Sequence, residues 1–90
     1  MLMLTSATLP ALAQRRPDTT RMTCAAARSL VAQRGAVVLS TGQFTYDRYV
    51  IHRGFCTPSE ITQTAFVPTM DNPACHAGDL CIERPLDNDR

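Results

Sequence analysis

The sequence predicts an α+β fold: one N-terminal helix packed on a small antiparallel sheet of three to four strands, held by two disulfides. Three observations predict it. A capped, alanine-rich segment at 23–35 has helical spacing, short β-branched runs follow it, and four cysteines are spread through a chain of only 90 residues. A domain of this size has a marginal core and gains much from covalent braces.

The chain opens "MLMLTSATLPALAQRRP". Met1 to Pro10 is uncharged and mostly apolar, Ala11-Leu12-Ala13 is a small-x-small site, and a polar run with Arg15 and Arg16 follows. An apolar stretch, a helix breaker and an A-x-A site form the latter part of a secretory signal peptide. Without a basic leading region it reads as a truncated signal peptide over 1–13, cut between Ala13 and Gln14. The apolar part falls short of the about 20 residues a membrane-spanning helix needs. The competing reading is a buried N-terminal helix, which Pro10 and the two threonines oppose. Residues 14–22 then read as a loose leader, 23–84 as a single domain and 85–90 as a frayed tail.

Thr23 is placed to cap the helix that starts at Cys24. The alanines favour helix, Gly35 supplies the residue that ends it, and Arg34 sits near the negative end of the helix dipole. Cys24, Ala27, Leu30 and Val31 form one apolar stripe. Ala36-Val37-Val38-Leu39-Ser40 is a β-branched strand, Thr41-Gly42-Gln43-Phe44 a turn, and Thr45 to His52 the returning strand. Alternation puts Tyr46, Arg48, Val50 and His52 on one face and Thr45, Asp47, Tyr49 and Ile51 on the other. Neither face is cleanly apolar, so both are expected to be partly covered. Cys56 to Glu60 reads as a loop. Thr64 to Val67 reads as a short edge strand ended by Pro68, Asp71-Asn72-Pro73 as a turn, and Leu80 to Glu83 as the last strand.

Four cysteines in a short exported chain read as two disulfides, each adding about 2–4 kcal/mol. If the first strand runs back along the helix, its end near Ser40 lies beside Cys24, and the second strand leaves Cys56 at the opposite end. A helix of this length spans about 18 Å. Bridged Cα atoms lie within about 7 Å. That disfavours Cys24–Cys56 and its complement Cys75–Cys81. Two connectivities remain open, and the reading leans to Cys24–Cys75 with Cys56–Cys81.

The formal net charge is +1, and all nine basic residues are Arg. Such a balance excludes a general polyanion binder, and with it nucleic acid. The charge is uneven: residues 14–53 carry a net +5 and residues 54–90 a net −4. In a compact fold the halves neutralise each other; the other reading is a basic patch for a membrane surface or an anionic glycan.

The stretch "RMTCAAARSLVAQRGAVVLSTGQFTYDRYV" from Arg21 to Val50, with Phe55-Cys56, Phe66-Val67-Pro68-Thr69, Asp71, Pro73, Cys75, Gly78 and Cys81, resembles a family of small exported alphaproteobacterial proteins with four cysteines. The likeness covers about residues 21–83. It implies export and a shared fold, and no particular reaction. The chain departs from that pattern at Phe66, in place of a Trp, and at Asp79, in place of an aromatic.

Motifs for chemistry are sparse. Cys56, Cys75, His76 and Cys81 offer enough atoms for zinc, yet the spacing has no C-x-x-C and no paired histidines. A thioredoxin-like role needs C-x-x-C as well. Ser40, His52 and Asp47 supply the residue types of a hydrolase without a G-x-S-x-G elbow, and Ser40-Thr41-Gly42 lacks the Lys of a phosphate loop. The most distinctive segment is Thr45-Tyr46-Asp47-Arg48-Tyr49. Tyr46, Arg48 and Tyr49 are the expected interaction surface, with Arg48 anchoring the fold or a partner through its planar fork. The expectation is an exported, non-catalytic binding or structural module, periplasmic or secreted. It would use no cofactor, metal or transmembrane span and act on an envelope or extracellular protein or glycan. A small periplasmic hydrolase-like enzyme is the alternative, and a metal-binding protein the third reading.

Overall fold

A computed structural model describes residues 16–85. The signal-peptide reading of 1–13 and the tail beyond Pro85 lie outside these residues.

Helix α1 spans Cys24–Arg34. Thr23 caps it, its hydroxyl oxygen accepting the Ala26 N–H at 3.1 Å, which satisfies one of the free donors of the first turn. Gly35 ends the helix at φ 78°, a backbone region that L side chains rarely adopt. Its N–H reaches Val31 O at 2.7 Å and its carbonyl accepts from Ile51 N at 2.9 Å. The chain thus turns straight from helix into sheet.

The strands are β1 (Ala36–Ser40), β2 (Tyr46–Val50), β3 (Glu60–Thr64), β4 (Val67–Thr69), β5 (Asn72–Cys75) and β6 (Asp79–Glu83). Four of them form an antiparallel sheet in the order β1-β2-β6-β3. β4 and β5 form a separate two-stranded sheet. The α+β architecture of one helix on an antiparallel sheet with two disulfides is therefore present. The helix presents Cys24, Ala27 and Val31 to a core that also holds Val37, Leu39, Tyr49, Val67, Cys75 and Ala77. The disulfides are Cys24–Cys75 and Cys56–Cys81, each with Cα atoms 5.6 Å apart. The first lies in the core, and the second joins the short 3₁₀ turn Arg53–Phe55 to β6.

Several local expectations are corrected. The leader is not loose from Arg16 onward. Thr19–Arg21 forms a 3₁₀ turn capped by Asp18, Thr19 is fully buried, and Ser40 N donates to Pro17 O at 2.8 Å. Met70 N donates to Met22 O at 2.9 Å, tying the segment to the small sheet. A polar stretch gave no periodicity to reveal this; backbone hydrogen bonds hold it.

The strand expected at Thr64–Val67 is divided. Thr64 ends β3 and Val67 begins β4, while Pro68 lies inside β4 rather than after it. Glu60, expected in a loop, starts β3. The turn expected at Asp71–Pro73 is a two-residue connection, Met70–Asp71, because Thr69 pairs with Asn72. Both prolines sit in a two-stranded sheet, where each strand has an unpaired edge.

Candidate interaction surface

Residues directly opposite in an antiparallel pair share a face. Ser40 pairs with Tyr46 and Val38 with Arg48, so these four side chains face away from the helix. Val37, Leu39 and Tyr49 face it. The outer face is divided along its length. Val50 shares it yet is fully buried, and β6 brings Cys81 to the same side. Phe55 lies over Gly35 so closely that a Cβ there would meet its ring at 2.3 Å. The 3₁₀ turn and the Cys56–Cys81 disulfide therefore cover one end, and the end carrying Tyr46 and Val38 stays open.

On the open end Tyr46 is 58% exposed. The Arg16 guanidinium lies 4.0 Å from its ring centroid and its Nε donates to Ser40 Oγ at 3.2 Å. The stacking is worth about 0.5–1 kcal/mol at an exposed site. Arg48 Nη2 donates to Phe55 O at 3.2 Å, so the residue expected to anchor the fold fastens the covering turn. Asp47 points to the opposite face and its Oδ1 accepts the Arg48 N–H at 3.1 Å. Among the described residues Arg21–Asp18 is the arginine–carboxylate pair, so Arg16 and Arg48 meet no carboxylate. Phe44, at the hairpin tip, is 85% exposed. The tip is closed by Thr41 N to Thr45 O at 2.9 Å and by the two threonine hydroxyls at 2.8 Å.

Tyr49 does not belong to this surface. It is 6% exposed, and burial, with the Asp47 charge adding to it, pushes its phenol above the ordinary 10.0. The surface keeps Tyr46 and Arg48 and gains Arg16 and Phe44. Arg16 was hidden in the polar leader, and only the pairing of Asp18 with Ser40 brings it here. Phe44 carried a visible signal, an aromatic at the tip of a turn.

The residues considered for hydrolysis are not brought together. Ser40 pairs with Tyr46 at one end of the β1–β2 hairpin and His52 lies beyond Val50 at the other, the run from Tyr46 to Val50 alone spanning roughly 14 Å by strand rise. His52 Nδ1 accepts from Gly54 N at 2.9 Å, and His76 Nε2 lies 2.8 Å from Asp79 Oδ1 with its ring beside Phe66. Among the described residues no hydroxyl is hydrogen-bonded to either histidine.

The residues considered for zinc offer no free thiol, since Cys75 is bonded to Cys24 and Cys56 to Cys81. Cys56, Glu60 and Cys81 do bring ligand-type atoms within 4.8 Å of one another. Two of those atoms are sulfurs of one disulfide, which offers no thiolate to a metal. Glu60 Oε1 is engaged by Thr57 N at 2.9 Å.

A second surface feature is the groove on the outer side of α1, lined by Met22, Ala26, Ser29, Leu30 and Gln33. No helix among the described residues is long and apolar enough to cross a membrane. Comparison with protein-family models, with curated proteins and with solved structures finds no match for this chain.

Proposed function

We propose that this chain is an exported, disulfide-braced, non-catalytic binding or structural module that works in the cell envelope or outside the cell. One observation carries the reading: all four cysteines are paired, and the bonds brace two different parts of a very small fold. Such bonds persist in oxidising compartments and are rare in a reducing cytosol. Ser40 and His52 lie at opposite ends of the β1–β2 hairpin and Asp47 faces the other side of the sheet from Ser40, which supports binding over hydrolysis. The partner is envelope or extracellular material reached through the Tyr46 and Arg48 face.

Fractionation of the native host tests the compartment. The chain is expected in the periplasm or culture medium, resistant to alkylation until reduced. A cytoplasmic chain whose four cysteines alkylate without reductant would contradict it.

A further inference from the structure

We propose that the open end of the β1–β2 face docks on an anionic lipid membrane surface, with Phe44 entering the headgroup region and Arg16 and Arg48 meeting lipid phosphates. The proposal rests on the reading above, that this is an envelope module acting by binding.

Phe44 is 85% exposed and is the most exposed large apolar side chain of the described residues. Its ring has no polar atom, so water is a poor environment for it. Two residues on, Tyr46 is 58% exposed and joins an apolar ring to a hydroxyl, the chemistry that favours a membrane–water interface. Val38, on the same face, is 37% exposed.

Two arginines share this face, Arg16 at the open end and Arg48 toward the covered end, where one of its nitrogens holds Phe55 O. Arg16 stacks on Tyr46, and Arg48 is two residues along the same strand face. The acids nearest in sequence are turned elsewhere. Asp47 lies on the helix side and holds the Arg48 N–H. Asp18 accepts from Thr20 and faces Arg21 at 3.8 Å. Basic groups beside an exposed aromatic fit a surface that is anionic outside and apolar beneath. A soluble acidic glycan would also engage the arginines, but it would leave Phe44 in water. Phe44 decides between the two.

Co-sedimentation of the oxidised protein with vesicles tests the idea. Vesicles of phosphatidylglycerol with phosphatidylcholine are compared with phosphatidylcholine alone, at low and high salt. The expected result is binding to the anionic vesicles only, weakening as salt rises. Phe44→Ala is expected to weaken it about tenfold. Arg16→Ala is expected to weaken it about fivefold. Arg34→Ala, on the helix, is expected to leave it unchanged, which separates this face from any binding by the rest of the chain. Because Arg48 also fastens Phe55, Arg16→Ala is the cleaner charge variant.

Equal binding to neutral vesicles, or full binding by Phe44→Ala, overturns the proposal. So does capture by soluble alginate without vesicle binding, which would leave the binding-module reading standing with a glycan as partner. Failure of that reading shows separately, as a cytoplasmic chain with free thiols.

Discussion

The backbone N–H of Cys24 donates to Asp71 Oδ1 at 2.9 Å, joining the first turn of α1 to the β4–β5 connection 47 residues later. The same oxygen accepts from Thr69 Oγ1 at 3.0 Å. The carboxylate thus caps the helix from outside it, next to the Cys24–Cys75 bond. The Cys24 N–H and the Thr69 hydroxyl hold the Asp71 carboxyl below its ordinary 3.8.

A group with a depressed folded-state pKa stabilises the fold above its unfolded value. That contribution is lost as pH falls through the folded value. Asp71 therefore stabilises the protein above about pH 4. Its contribution fades at more acidic pH. Asp71→Ala is expected to melt lower than the parent at neutral pH, with the gap narrowing in acid. Melting curves across that range check it, and a gap independent of pH would contradict the assignment.

Gly35 and Phe55 form a second lock. Gly35 combines a positive φ with a phenyl ring where its Cβ would go. Gly35→Ala is expected to destabilise by about 2 kcal/mol or more. Because part of that cost is collision with Phe55, adding Phe55→Ala should return some of it. Denaturant unfolding of the two single variants and the double variant reads the coupling.

Thr19 is fully buried and its Oγ1 has no hydrogen-bond partner among the described residues. An unsatisfied buried hydroxyl costs about 1–3 kcal/mol. Thr19→Val keeps the shape and removes the polar atom. It is expected to raise the melting temperature by roughly 4–8 °C per kcal/mol recovered. Calorimetry checks it, and a lower melting temperature would mean that the hydroxyl is satisfied.

The two disulfides should not be equal. Cys24–Cys75 spans 51 residues and Cys56–Cys81 spans 25. Restriction of the unfolded chain gives about 4 kcal/mol for the longer loop and about 3.5 kcal/mol for the shorter. Cys24 and Cys75 also belong to the core. The double serine variant of that pair is expected to lose more stability than the variant lacking Cys56–Cys81, as equilibrium unfolding would measure.

How far the residues announce this structure depends on whether the information is local. Helix α1 was legible because Thr23, the alanines and Gly35 cap, favour and end it within one short stretch. The β1–β2 hairpin was legible from its β-branched run and turn. Running those elements back and forth disfavoured only Cys24–Cys56 with Cys75–Cys81 and left two pairings open, of which Cys24–Cys75 with Cys56–Cys81 is present. What failed was long-range. β3 has a single large apolar residue, Ile61, and exists by pairing with β6. Residues 16–22 are held by backbone contacts to Ser40 and Met70. Period-2 alternation put Tyr46 and Tyr49 on opposite faces of β2, and the surface still included both; the helix covers Tyr49 alone. Arg16 joined the surface through a chain path that no pattern marks.

The account depends most on the sulfur atoms being bonded in a compartment outside the reducing cytoplasm. Intact-mass measurement of the protein from its native host, before and after reduction, tests this most directly. A species cleaved after Ala13 that gains four hydrogens on reduction is the predicted result, one pair for each bond. A chain that retains Met1 and has the same mass with and without reductant would contradict it.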